Sequence, residues 1–560
     1  MASLQAYQSH GIRYYRIVES FRKNGKPSLR VLAHLGRVDD ILQLHEKQHA
    51  VPFQLSSVSA GAVTALHRLA VELNLSTRIN AALAPAHVQV RDGLTVGESV
   101  VAAILARACA PRSKRAFTEW AHSTYLPDLM HFSAAALTSQ HFWDQMHVLP
   151  AEALPIIEQD LVGEVVRREA LQIQALAYDT TNFHTHIATT NSKPELPQRG
   201  HNKQGRHDLR QLGLALIVDQ SSQLPLAHSL YAGARSDMRT FAEFLPTLRQ
   251  RLRSLTGQPE QLTLVFDAGA SSRQNLEGLV GYVTALPPSR HVALLAEAAG
   301  QLTAVALSTG VVVQAWRTRR LIAGQLREIV VVHSPKLHAG QVRGLGQAMS
   351  RATAEIKQLD SRCARLSLET VRQRMSKICG RQYLRALLQY EVTADEAGGS
   401  RLRVWCNRDE YQRLDQRYFG LRVLITDRAE WSTGEIVAAY RGQSRVEAAV
   451  GDLKNPGMLA IRPQFHWTDQ KLRVHVFVCV MAYLLVTLLH RRAVQRAAFV
   501  GSAQRLLAEL GAIRCCRIID RTGKRGRPRV RLQLEQTEPK RLALAEALKA
   551  LPPTDLPPTD

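Results

Sequence analysis

Residues 12–36, IRYYRIVESFRKNGKPSLRVLAHLG, hold two runs of β-prone residues around Lys23-Asn24-Gly25-Lys26. Asn-Gly between such runs predicts a tight hairpin turn, and so a basic two-stranded ribbon. The ribbon has two readings, a DNA-contacting arm or a hairpin packed on a later domain. A charged linker leads through Val51-Pro52, and from 58 to 170 the chain is rich in Ala and Leu, with apolar residues at helical spacing. The clearest helix there is Val96 to Cys109, ended by Ala110-Pro111. Arg112, Ser113, Lys114 and Arg115 open the next helical pattern, either as a phosphate grip at a helix N-terminus or as a solvated basic turn.

At Leu171 the period shortens. LQIQALAYD reads as a strand ending on Asp179, and LRQLGLALIVDQ and QLPLAHSLYAG read as two more, joined through Gln220-Ser221-Ser222-Gln223. Asp237 to Leu252 has helical spacing, LTLVFDAGA is a strand ending on Asp267, Ser271 to Leu279 is a helix and GYVTALP a further strand. This order predicts an α/β fold with a mixed sheet and helices on its faces. The next stretch holds TAVALSTGVVVQAWRTRRLIA, REIVVVHS, an Arg-rich helical tract from about Ala339 to Leu388, and RLRVWCNRDEYQRLDQRYFGLRVLITD. It predicts an inserted β-rich domain with a helical segment. Within it Trp316, beside Arg317, Arg319 and Arg320, is either a stacking surface for an unpaired base flanked by phosphate-binding guanidinium groups, or a core residue after Val-Val-Val.

Gly434 to Lys454, GEIVAAYRGQSRVEAAVGDLK, reads as one amphipathic helix. Ile436, Val437, Val446, Ala449, Val450 and Leu453 supply its apolar side. Tyr440, Glu447 and Lys454 recur every seven residues, which at about 3.6 residues per turn returns them to one direction, and Gln443 joins them at i+3. Such a helix delivers one acid to a site built elsewhere; alone, Glu447 and Lys454 are equally ordinary surface charges. Residues 471 to 510 return to helix, and the uncharged run Val476 to Leu489, too short to span a bilayer, reads as a buried helix.

Charge adds a partner to this picture. Lys and Arg number 72 against 48 Asp and Glu, for a net charge of +24 in 560 residues. An excess of this sign favours a polyanion, because each basic group set on a phosphate releases condensed counterions. Nucleic acid is the leading candidate, ahead of an anionic membrane. The tail concentrates the excess in RCCRIIDRTGKRGRPRVR, where Arg525, Arg527 and Arg529 resemble the core of an AT-hook reaching into a narrow minor groove, with a surface β-hairpin as the alternative. The final LPPTDLPPTD is a Pro-rich repeat expected to be disordered. Seven cysteines without a CxxC pair or a zinc spacing fit a reducing cytoplasm. The opening MASLQAYQSHGIRYYR lacks the apolar run of a secretory signal. At this length the chain is expected to form two to four domains, none of them in a membrane.

Two aspartates at strand ends and an acid on a later helix suggest a common chemistry. Ligand sites in open α/β sheets lie at the C-terminal ends of strands. Converging carboxylates repel one another unless a cation neutralises them, and an all-oxygen donor set suits Mg²⁺ or Mn²⁺. Two such ions serve phosphodiester chemistry. Taken singly, either Asp is also a plain turn cap, and His184 and His186 in NFHTH read as a polar turn as readily as a metal pair.

In these residues the chain resembles the DDE transposases of bacterial insertion sequences, in particular the branch of insertion sequence family four and relatives, with the signature Y-x2-R-x3-E-x6-K. Tyr440, Gln443, Glu447 and Lys454 stand at the signature positions, with Asp179 and Asp267 as the aspartates. Gln443 replaces the Arg, and Arg445 lies nearby on a different helical face. YYRIVESFRKNGKPSLRVLAHLG, RGHNKQGRHDLRQLGLALIVDQ, AGARSDMRTF, FDAGASSRQNL and RPQFHW carry the resemblance from about residue 12 to 495.

The resemblance implies an RNase H-like mixed-sheet core, a β-rich insertion domain and a helical N-terminal region. The expected boundaries are 1–50 for the basic hairpin region, 51–170 for a helical DNA-binding region, 171–286 and 431–500 for the core, 287–430 for the insertion and 501–560 for the basic tail. It further implies Asp179, Asp267 and Glu447 as ligands of two Mg²⁺ ions (or Mn²⁺), and cutting and joining of double-stranded DNA at terminal inverted repeats. The expected DNA contacts are Tyr440, Gln443, Arg445 and Lys454, with Trp316, Arg317, Arg319, Arg525, Arg527 and Arg529 added from the residue patterns above, and the resemblance implies a homodimer bridging two ends. The competing functions are a DNA-binding protein that has lost the chemistry and a divalent-metal nuclease without strand transfer.

Overall fold

A computed structural model describes residues 2–23, 26–42, 53–84, 90–200, 205–258, 261–277, 279, 281–381, 383–394, 399–462, 464–520 and 529–553. It forms two compact units, Met1–Pro259 with Ser444–Asp560, and Glu260–Gln443.

In the first unit the N-terminal ribbon has three strands where the sequence suggested two: Ala2–Ser9, Ile12–Lys23 and Lys26–Gly36, antiparallel in that order. The extra strand comes from ASLQAYQS, whose mixed composition gives little β signal. It is held by pairing, with Tyr7 opposite Tyr14 and their rings stacked at 5.7 Å. The Asn24-Gly25 turn lies outside the described residues. Phe53–Ser59 pairs with Arg514–Asp520, which pairs in turn with Arg529–Leu534. The tail is therefore β-structured on both sides of its basic run, as in the hairpin reading; Arg525 and Arg527 lie outside the described residues and Arg529 opens the last strand.

Helices and a three-stranded run follow in this unit. Val96–Cys109 forms with the ends the sequence suggests, opened by a capping box in which the Thr95 side chain accepts from the Glu98 N–H and Glu98 accepts from the Thr95 N–H. It packs on Asp469–Ala497, the central helix of the unit. That helix has 29 residues and a window of hydropathy 2.2, so length does not exclude a bilayer, as the uncharged run alone had suggested. Its burial assigns it to a core, since 89% of the window is enclosed. Ala175–His184, Gln211–Asp219 and Pro225–Ala232 form an antiparallel run whose middle strand is buried along its whole length. One face of it carries Tyr178, packed edge-on against Phe241 of helix Asp237–Thr256 at 4.9 Å between centroids.

In the second unit six strands pair in the order Thr303–Ala306, Val312–Ile322, Gln325–His333, Leu421–Thr426, Tyr282–Leu286 and Thr263–Phe266. Only the last pair is parallel, so the sheet is mixed. The strands expected to build a separate insertion domain thus continue the sheet that holds Thr263–Phe266, with Leu421–Thr426 hydrogen-bonded to Tyr282–Leu286. Their β pattern was legible, but their partners were not, because pairing is long-range. The remaining helical part, Pro335–Asp360, Leu368–Cys379 and Arg408–Arg417 with the hairpin Leu388–Ala394 and Ser400–Cys406, surrounds its own core of Leu345, Val371, Met375, Leu384 and Phe419.

Two expectations near the site change. Asp179 does not end its strand: pairing runs on through Thr180, Thr181, Asn182 and Phe183 to His184, because the β-favouring Thr180, Thr181 and Phe183 carry the ladder past the turn-prone Asp179 and Asn182. Gly434 to Lys454 is not one helix but two, Thr433–Arg441 and Ser444–Lys454. The Gly442 N–H bonds the carbonyls of both Ala438 and Ala439, and the Gln443 N–H bonds Tyr440, a tightened last turn that ends the first helix. The seven-residue spacing from Tyr440 to Glu447 therefore does not place them on one helical face.

Candidate active site

Asp267 follows the buried strand Thr263–Phe266 and opens a short 3₁₀ turn, Ala268–Ala270. Its Oδ1 accepts the Ala268 N–H at 2.8 Å. By strand alternation it shares the sheet face of Val265, which packs with Ile436, Val437 and Tyr440 of helix Thr433–Arg441. This brings Tyr440 to the acid: its hydroxyl donates to Asp267 Oδ1 at 3.1 Å, and its oxygen accepts from Arg422 Nη1 at 3.1 Å. The Arg422 guanidinium also lies 5.4 Å from the Tyr440 ring centroid. Burial and the neighbouring Asp267 carboxylate raise the Tyr440 pKa far above its ordinary value, so the hydroxyl keeps its proton as a donor. Tyr440 was expected at the DNA; it is 6% exposed and is instead a support for Asp267. Asp267 itself is exposed.

In the first unit, Asp179 lies half-buried in strand Ala175–His184, where its Oδ1 accepts the Thr180 N–H at 2.8 Å. Helix Ser444–Lys454 packs on this strand and on Gln211–Asp219 through Val446, Ala449, Val450 and Leu453, which leaves Glu447 exposed. At the end of the helix the Lys454 ammonium stands 5.5 Å from the Phe183 ring centroid. Phe183 and Asp179 are four apart in a strand without a register shift, so they share a face. The Glu447 helix therefore sits on the side of the strand that carries Asp179. Tyr178, on the opposite face, belongs to the packing with helix Asp237–Thr256.

The other expected contacts divide. Arg445 is exposed on the same helix as Glu447, two residues before it and so on a different face. Gln443 is 6% exposed at the helix break and so is not placed as a surface contact. Trp316 is half-buried in strand Val312–Ile322, and its neighbours are engaged within the protein: Arg317 and Arg319 both pair with Glu328, Arg317 also donates to the Ala429 carbonyl at 2.9 Å, and Arg320 pairs with Glu297. Lys114 is no phosphate grip either. It lies against His466, its Nζ 2.5 Å from Nε2, and 5.5 Å from the Trp143 ring centroid. Burial, aided by Arg107 and Lys471, pushes its pKa down to about 7. His184 ends its strand buried and His186 lies 5.4 Å from Phe465, centroid to centroid.

Each candidate acid is a carboxylate, the donor type that suits a hard cation: in the first unit Asp179 is half-buried and Glu447 exposed, and in the second Asp267 is exposed. Among the described residues, no three His, Cys, Asp or Glu side chains already gather into a metal-sized cluster. Arg422 is the residue that sequence reasoning missed. Its signal was a single cation in LRVLIT, an otherwise apolar strand.

A family model for the transposase DDE domain matches residues 171–485, more than half of the chain. A second, for the N-terminal domain of IS1634 family transposases, matches residues 6–53. No curated protein matches the sequence. One matching solved structure is a cryo-EM structure of a piggyBac transposase synaptic complex with hairpin DNA, 9% identical, covering 79% of either chain at a TM-score of 0.35.

Proposed function

Since the chain belongs to the DDE transposases and is thus a DNA transposase, we propose that Asp179, Asp267 and Glu447 are its metal-binding carboxylates, and that it cuts DNA at the terminal inverted repeats of its own mobile element and joins the 3′ ends to target DNA. The observation that carries this reading is the seating of the Glu447 helix on the Asp179 face of its strand, with Glu447 left exposed. Tyr440, Glu447 and Lys454 support a place in the branch with the Tyr-Arg-Glu-Lys signature, with Gln443 as the departure.

The three carboxylates would hold two Mg²⁺ ions, or Mn²⁺, which when bound supply charge neutralisation at the scissile phosphate. Lys454 contacts a phosphate near the cut, with Arg445 on the same exposed helix. Water attacks phosphorus and the 3′ oxygen leaves as a hydroxyl; that hydroxyl then attacks a target phosphodiester and releases a new 3′ end. Hydrolysis and transfer thus use one site with alternating nucleophiles, and catalysis is placement plus charge stabilisation. A homodimer bridges two ends, acting on the nucleoid of a bacterial cytoplasm.

The test is cleavage and joining of DNA carrying the flanking ends, wild type against Glu447→Gln, in Mg²⁺ and in Mn²⁺. Loss of both reactions by roughly 10³-fold, with end binding unchanged, is the expected result. A wild type that binds the ends but neither cuts nor joins them turns the protein into a DNA binder. Cutting without joining turns it into a nuclease.

A further inference from the structure

Asp267 is held from two directions through a single oxygen. The Ala268 N–H reaches Oδ1 from within the turn and the Tyr440 hydroxyl reaches it from a separate helix. A phenol has one proton to give and lone pairs to receive. With Arg422 donating into the phenol oxygen, that proton is directed to Asp267. The position where the family signature has an Arg is occupied by Gln443, buried at the helix break. A guanidinium reaches Tyr440 from a different element instead, the strand Leu421–Thr426, whose other residues are all buried and apolar except Thr426. Arg422 is the one charged residue of that strand and is half-buried. Here it caps Tyr440 by a hydrogen bond and lies near its ring.

We infer that Arg422 is a positioning residue for the site: acting through Tyr440, it fixes Oδ1 of Asp267 and leaves Oδ2 as the oxygen offered to a divalent cation. The inference rests on the reading of Asp267 as a metal ligand. It assigns to Tyr440 a role inside the protein rather than on DNA, and to Arg422 a role that no signature position carries. Tyr440, one hydrogen bond removed from the ligand, is a support of the kind that typically governs metal affinity by 10–100-fold, and Arg422 acts one bond further out, through it.

The experiment is direct Mn²⁺ binding, read by the EPR signal of free Mn²⁺, on the full chain bound to end DNA. It compares wild type with Arg422→Gln, Arg422→Lys, Tyr440→Phe, the Arg422→Gln/Tyr440→Phe double variant and Asp267→Asn, with melting temperature and end binding recorded for each. Arg422→Gln and Tyr440→Phe should each weaken Mn²⁺ binding about tenfold, and the double variant no further, because the two act in series. Arg422→Lys, which keeps a charged donor, should recover part of the loss. If Arg422→Gln binds Mn²⁺ within about twofold of wild type while Asp267→Asn loses it, Arg422 has no positioning role and the catalytic reading stands. A double variant about a hundredfold weaker makes the residues independent and overturns the relay. Unchanged Mn²⁺ binding in Asp267→Asn removes the catalytic reading, and the inference with it.

Discussion

Lys114 and Arg422 are cations whose surroundings change what they do. Lys114 sits in a basic stretch that suggests a phosphate grip, yet it is enclosed with His466, His475, Trp143 and Arg107, and its pKa falls to about 7. Between about pH 7 and the ordinary lysine value of 10.5 the unfolded chain holds a proton that the folded chain does not, so stability rises with pH across that window and is lost again as pH falls through 7. From pH 7 to 9 the wild type should gain about 1–2 kcal/mol relative to Lys114→Met, measured by urea denaturation at each pH. Parallel curves for the two proteins would show that the Lys114 proton is not linked to folding. His466, whose imidazole burial drives well below its usual value, adds a loss of stability in the same direction at lower pH.

At the scale of the element, close approach decides what propensity cannot. Gly97 lies in the first turn of helix Val96–Cys109, where propensity alone gives Ala an advantage of about 1 kcal/mol. A Cβ there would stand 2.2 Å from the Ser76 carbonyl oxygen and 2.8 Å from Asn80 Oδ1, and the Gly97 N–H already donates to that Oδ1 at 2.8 Å. The clash with backbone outweighs propensity, so Gly97→Ala should destabilise the protein by about 1–2 kcal/mol in chemical denaturation; a gain would show that helices Leu75–Ala81 and Val96–Cys109 part freely. The same limit explains the break at Gly442. Apolar spacing across Gly434 to Lys454 is right on both sides, as the burial of Ile436, Val437, Val446, Ala449, Val450 and Leu453 shows, but periodicity alone carries no sign of the tightened turn between them.

For the whole molecule, the 72 basic side chains are only partly available to DNA. Arg317 and Arg319 are bound by Glu328, Arg492 by Glu72 and Glu169, and Arg251 by the buried Glu158. If the remainder makes about 6–10 phosphate contacts, affinity for end DNA should fall by roughly 10³–10⁵ between 50 and 200 mM salt. A shallow slope in a salt titration of binding would mean that most of the charge is neutralised inside the fold. The α/β class, the helix Val96–Cys109, the strand leading to Asp267 and the candidate acids were legible along the chain, because these depend on local period, capping and residue chemistry. Tertiary structure alone decided that the expected insertion strands join the sheet of Thr263–Phe266, that Phe53–Ser59 pairs with the basic tail, that Lys114 is enclosed and that Arg422 reaches Tyr440. Each of those depends on which distant backbone or side chain comes to rest alongside, and strand pairing, burial and hydrogen bonding across long loops leave no period in the chain to read.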